Sequence, residues 1–507
     1  LLQDTGLLKS LQDIRYSKEG RRKNMKPTKG QRIFAVFNYI LLSVIVLLGV
    51  VSCKNQTING NDNAGKMEST IHYRPGDIKM GDLIPYYWDD DYHVFYLRDG
   101  NWAHIVSQDL VTWKVLPDAL QRGADPLGPD SEGIWTGSLV EDKGTFYLFY
   151  TGKNINDPKG DQKVMRALSK DLITWEKDTT FIFYADGKIY WNKTINGAID
   201  DRHPYHHQAF RDPHVIWNED ANEWWMAFHA MLSDGSYPVV SFYTSKNLTD
   251  WVPQQPLVTY PTSVSGDCPD IFRVGDKWNI NLADYHYVQV DAPGAVNPEV
   301  LQYDCGDLRV AKTMFDGKRR VILGWIGDYA EKKDSGNYEW GGIMSMPREI
   351  YADSKGILYQ RPVQETIDLF DNQVMTKDNI VLNEYMENVP LDYMLHATLY
   401  GNDDSKVSLL FRQAQKSNQE DAYRVSIDYK TGEIALGNRY REHKRVCEFD
   451  KSKPLDIRLF VDGTVAECFI NDAYCFTMRI YDCKGTGFSF ISEDTKLKIK
   501  DLSIYSK

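Results

Sequence analysis

The chain has 507 residues, 42% of them hydrophobic and 26% charged. That is more than one ordinary core holds, so two or three globular domains are expected. A formal net charge of −12 with no basic patch argues against nucleic acid as a partner. Aromatic residues reach 13%, with 31 Tyr and 13 Trp, a content that suits β cores and the stacking of rings on sugar CH groups.

In chain order, residues 1–24 show no apolar periodicity and are read as lying upstream of a natural start at Met25. Lys26, Lys29 and Arg32 then precede an apolar run over 33–51, and Ser52 stands before Cys53. A basic head, an apolar middle and a small residue at the cut read as a secretory signal over 25–52. The ending resembles a bacterial lipobox, in which Cys53 becomes the lipidated first residue. The expected place is then the cell envelope, with a lipid anchor as the only membrane attachment. A single membrane-spanning anchor is the alternative, because the run is nearly long enough to span a bilayer. The polar, Asn/Gly-rich stretch 53–69 reads as a tether.

A repeat follows. Ser107-Gln108-Asp109-Leu110-Val111-Thr112-Trp113 returns as Ser169-Lys170-Asp171-Leu172-Ile173-Thr174-Trp175 and as Ser245-Lys246-Asn247-Leu248-Thr249-Asp250-Trp251. The Asp or Asn can cap a tight turn, and the Trp can bury against the next strand. Short aromatic strands give a second count at 92–96, 146–150, 224–228, 278–282 and 321–325, most of them after a charged or Gly turn. Five strands and a recurring turn predict an all-β, five-bladed β-propeller over 70–365. After a linker at 366–380, alternating strands at 393–399, 407–411, 423–427, 456–461 and 466–470 predict a C-terminal β-sandwich over 381–507.

Cleaving a glycosidic bond takes two carboxyl groups, one a nucleophile or base and one an acid. Three aspartates stand on three expected blades. Asp82 lies in Met80-Gly81-Asp82-Leu83, Asp212 in Phe210-Arg211-Asp212-Pro213-His214, and Asp267 in Gly266-Asp267-Cys268-Pro269-Asp270. Each alone reads as a turn or cap residue, and the signal lies in the set. Pro213 disfavours helical geometry at Asp212. The planar fork of Arg211 suits a carboxylate or a sugar hydroxyl. Asp270 is a second candidate for the acid, read as structural.

From about His72 to the C-terminus the chain resembles glycoside hydrolase family 32, the invertase, inulinase and levanase family. The Arg-Asp-Pro box is complete at 211–213. Gly133-Ile134-Trp135-Thr136-Gly137-Ser138 resembles the family's fructose-pocket segment. Gly324-Trp325-Ile326-Gly327 and Val461-Asp462-Gly463-Thr464 resemble later propeller and sandwich elements. The resemblance implies Asp82 as nucleophile, Asp212 as transition-state stabiliser and Asp267 as acid/base. It places Arg211, Trp135, Thr136 and Trp325 at the sugar. It also implies a retaining mechanism on fructose-containing oligo- or polysaccharides, with Asp82 and Asp267 about 5–5.5 Å apart.

The departures are specific. The first box lacks Pro-Asn-Gly and has Gly81 before the Asp, Leu97 replaces a frequent Gln, and Asp267 replaces Glu. An arm one methylene shorter displaces the acid by about 1 Å, which costs on the order of 100-fold if nothing compensates. Two alternatives stay open: an inverting arabinosidase or xylosidase like family 43, and a non-catalytic glycan-binding lipoprotein. No cofactor and no metal are expected, since His203, His206, His207 and His214 fit no metal spacing. A monomer is expected.

Overall fold

A computed structural model describes residues 65–76, 78–197, 209–259, 266–417, 419–494 and 496–507. The upstream stretch 1–24, the expected signal 25–52, Cys53, most of the tether and His203, His206 and His207 lie outside the described residues.

Five sheets lie between Met67 and Pro362. Their innermost strands are Gly81–Trp88, Gly133–Asp142, Phe210–Asn218, Asp270–Val274 and Leu308–Phe315. Each packs against the next and the fifth packs against the first, which closes a ring around an axis. Within each sheet the chain returns outward in antiparallel steps, for example through Asp91–Arg98, Asn101–Ser107 and Thr112–Leu120 in the first.

The recurring turns explain part of this regularity. Asp109 Oδ1 accepts from the N–H groups of Val111 and Thr112 at 3.0 and 2.6 Å. Asp171 and Asn247 do the same for the two residues at the matching positions. Between acceptor and donors stands a leucine with φ near +62°: Leu110, Leu172 and Leu248. That left-handed backbone disfavours a Leu. The side chain is buried in each case, and burying a Leu is worth about 1.5–3 kcal/mol, which offsets the strain. Trp113 and Trp251 bury as expected, while Trp175 is half-buried.

Two six-stranded sheets form the sandwich, with one continuous apolar core between them. The sandwich begins earlier than the sequence suggests. Residues 366–380 were expected to link the domains, yet Asn372–Asn379 pairs with Lys498–Ser506 as an edge strand. Its side chains are mostly exposed and polar, so it carries none of the alternation that reveals a strand. Likewise Met67–Ser69, expected as tether, pairs with Thr112–Lys114.

Propeller and sandwich are joined by main chain and by charge. Cys305 N–H donates to Cys475 O at 3.1 Å, and Asp307 N–H to Thr477 O at 2.9 Å. Glu467 accepts from Arg348 Nε at 3.1 Å and from Met346 N–H at 3.2 Å, and lies 3.2 Å from His72 Nε2. Arg348 also reaches Asp304, Gln360 and Thr477. The six cysteines among the described residues are free thiols, five of them buried.

Candidate active site

The five inner strands bring their N-terminal ends, or the residues just before them, to one mouth of the axis. In four strands a bulge interrupts the register there: between Gly81 and Ile84, Trp135 and Gly137, Arg211 and His214, and Arg309 and Lys312. A bulge re-aims one side chain out of the sheet alternation. Here the re-aimed positions include Asp82, Asp212 and Val310, with φ of +42°, +67° and +47°, and Cys268 ahead of the fourth strand has φ +52°. Pro213 was expected to keep Asp212 from helical geometry, and the left-handed backbone is the form this takes. Such conformations cost about 1–3 kcal/mol each and persist where surrounding structure enforces them.

All four residues line a cavity of about 420 Å³, together with Asp267, Arg211, Trp135 and Trp325. The three aspartates therefore converge, although 130 residues separate Asp82 from Asp212. Thr136 Oγ1 donates to Asp82 Oδ2 at 2.8 Å and Trp325 Nε1 to Asp82 Oδ1 at 3.2 Å, so both oxygens are held. Asp212 Oδ2 accepts from Cys268 N–H at 3.1 Å, and the Asp212 N–H donates to Thr151 Oγ1 at 2.7 Å. Cys268 Sγ lies 3.5 Å from Asp212 Oδ2 and 3.9 Å from Asp82 Oδ2, between the two carboxylates. Asp267 is the open one: its side chain is 33% exposed against 5% for Asp212, and Arg211 Nη2 donates to it at 2.5 Å.

Burial raises the pKa of the two deep carboxyls. Asp212 is pushed up to about 7, chiefly by loss of water, with Arg211 opposing and the charges of Asp267 and Asp82 adding. Asp82 is also raised by burial, and the Thr136 and Trp325 hydrogen bonds and the Lys312 charge pull it back toward ionisation. Burial holds the Cys268 thiol well above its ordinary value, so it stays neutral. The cavity thus holds one carboxylate gripped through both oxygens and a second, more open one.

Most sequence-derived site residues gather here, with one correction. Thr136 was expected to touch the sugar, yet it is fully buried, is absent from the cavity wall and orients Asp82 instead. Trp325 both lines the cavity and holds Asp82. Asp270 points to the other end of the axis, where it accepts from Thr313 N–H and Oγ1 at 3.0 and 2.8 Å. The sequence reading missed Arg309, Asp284, Tyr338 and Trp340 on the wall. Their one local signal is Gly81: a Cβ there would meet the Trp340 indole at 2.5 Å, so the glycine makes room for that ring. Leu97 also lines the cavity, so its blade-one wall is apolar where the family pattern is polar.

Residues 72–362 match the family described as "Glycosyl hydrolases family 32 N-terminal domain", and residues 373–506 match "Glycosyl hydrolases family 32 C terminal". The chain is similar to sucrose-6-phosphate hydrolase of Escherichia coli, 27% identical over 457 residues that cover 81% of this chain and 88% of that one. It is also 27% identical to levanase of Bacillus subtilis over 497 residues, covering 83% and 67%. Fructan 1-exohydrolase IIa from Cichorium intybus superposes with a TM-score of 0.69 at 19% identity, covering 87% of this chain and 97% of that one. With the first match spanning more than half its length and the second its sandwich, the chain belongs to glycosyl hydrolase family 32.

Proposed function

We propose that this glycosidase hydrolyses fructose-containing oligo- or polysaccharides with retention of configuration. The observation that carries the reading is the convergence of Asp82, Asp212 and Asp267 on one cavity, with Asp82 gripped through both oxygens and Asp267 open to solvent. Relatives whose names describe sucrose-6-phosphate hydrolase, raffinose invertase and levanase activity support the substrate class.

Asp82 attacks the anomeric carbon of the fructosyl unit while the bond to the leaving oxygen breaks. Asp267 gives that oxygen its proton, and the leaving sugar departs as an alcohol. The fructosyl group is then an ester of Asp82. Asp267, now ionised, takes a proton from water; the water oxygen attacks the anomeric carbon, and the Asp82 carboxylate is released. Asp212 accepts hydrogen bonds from hydroxyls next to the reacting centre. Arg211 Nη2 holds the short Asp267 side chain on the cavity wall. This hold limits the misplacement that would otherwise slow proton transfer.

Family membership through both domains favours this reading over the family 43-like alternative. The chain also acts, in this reading, as an envelope-anchored monomer lipidated at Cys53. Incubation with sucrose, inulin, levan and arabinofuranosyl and xylosyl substrates, alongside Asp82→Asn and Asp267→Asn, tests the whole. Fructose release lost in both variants is the expected result. Pentose release, or glycan binding without turnover, overturns it.

A further inference from the structure

We infer that the opposite end of the propeller axis carries a second saccharide-binding site. A cavity of about 490 Å³ opens there, bounded by the C-terminal parts of four inner strands and by the fourth strand from Asp270 onward, and it shares no wall residue with the active-site cavity. From Asp82 to Trp88 the strand advances six residues, or about 20 Å. Lys312 closes the axis between the two: it is buried, and its Nζ donates to Gly137 O and Pro269 O at 3.2 Å.

Three large rings stand in water around this second opening. Trp88 and Trp217 are each 40% exposed and Phe315 is 54% exposed. Exposed rings forfeit the stabilisation that burial brings, and a cluster of them around a concavity marks a binding surface. They are firmly placed: Trp88 packs edge-on against Phe146 with centroids 5.0 Å apart, and Trp217 against Trp224 at 5.1 Å. Beneath the rings the wall is mainly apolar, with Arg320 and His214 among its polar side chains. The Arg320 guanidinium stacks on Phe272 and Phe315, with its Nη1 donating to Thr313 Oγ1 at 3.0 Å. His214 is buried, with its Nδ1 3.3 Å from Asp270 Oδ1.

Aromatic platforms over a few convergent polar groups are the anatomy of a ligand site. The chemistry selects the occupant. Rings cover sugar CH faces, and the Arg320 guanidinium between the Phe272 and Phe315 rings can answer hydroxyls. A net charge of −12 repels nucleic acid. This inference rests on the saccharide-cleaving reading. Holding one part of a polymer here raises its effective concentration at the active site.

The test titrates the full chain carrying Asp82→Asn with a fructo-oligosaccharide by calorimetry. Two bound per chain is expected, falling to one when Trp88→Ala and Trp217→Ala are added. In the catalytically competent chain the same two changes leave sucrose hydrolysis within about twofold and raise the KM for inulin or levan about tenfold. Phe315→Ala, an independent ring, gives the same pattern should the double variant unfold early. One saccharide per chain with or without the tryptophans overturns the inference. Absence of any fructoside hydrolysis by the parent chain refutes the reading it rests on instead, while the binding stoichiometry remains measurable.

Discussion

Two buried clusters of acidic side chains lie in this molecule, and burial acts on both. At the active-site mouth, Asp82 and Asp212 are raised above the ordinary carboxylate range. At the seam between propeller and sandwich, Asp307, Asp328, Asp462 and Glu467 are all lowered. The difference is partnership. Asp307 meets Arg441, His443 and Tyr329, and Asp328 meets Arg74 and Arg479. Glu467 meets Arg348 and His72. The mouth sets three carboxylates together, with Arg211 touching two of them and the Lys312 charge acting on Asp82. The seam converts buried charge into a fixed joint, whereas the mouth keeps it poorly compensated and ready to react.

The largest effect this comparison predicts is loss of chemistry without loss of fold. Asp82→Asn should lower kcat about 10,000-fold, and Asp267→Asn about 100- to 10,000-fold. Thermal unfolding should stay near that of the parent chain. A matching collapse in stability would show that the mouth is a structural cluster too.

At the seam the reverse should hold. Arg348→Met leaves Glu467 and Asp304 short of their cation and should cost about 3–5 kcal/mol in urea unfolding. The kcat/KM of the folded fraction should not change. The seam also has its own pH window. His72 is raised by Asp462 and Glu467 against the pull of burial, so its share of stability is full below about 6.5 and fades as pH rises through its folded value. The lowered Glu467 and Asp462 contribute above their ordinary range and lose that share as pH falls.

Thr136→Val sharpens the account of the mouth. It removes one of the hydrogen bonds that favour ionised Asp82, so the acidic limb of the pH–rate profile should move up. A loss of about tenfold in kcat/KM is expected near pH 5 and less near pH 8. An unmoved limb would assign Thr136 a packing role only.

The smallest effect concerns stability at the mouth. Asp212 holds its proton up to about 7 in the folded chain, well above the unfolded value, so the folded state loses stability as pH rises between the two. Asp212→Asn removes that loss, and Asn tolerates the left-handed backbone at this position. Its midpoint should exceed that of the parent by a few degrees at pH 8 and hardly differ at pH 3, below the unfolded value.

Much of this was legible from the chain alone. Strand alternation, the Ser-x-Asp-Leu turn and the three boxes around Asp82, Asp212 and Asp267 are local patterns, and local sterics and burial set them. The polar edge strand Asn372–Asn379 was not legible, because solvent on both faces leaves no periodicity to read. Nor was the hydrogen bond from Thr136 to Asp82, which follows from the bulge at Thr136.

What the sequence by itself determined, then, is the class of fold and the set of residues able to carry the chemistry. Tertiary structure alone decided which acids are raised and which lowered. It set Asp270 at the far end of the axis and seated Trp340 over Gly81. The physical reason is that hydrophobic period acts between neighbours in the chain. Desolvation and charge act between neighbours in space, here 54 to 395 residues apart along the chain.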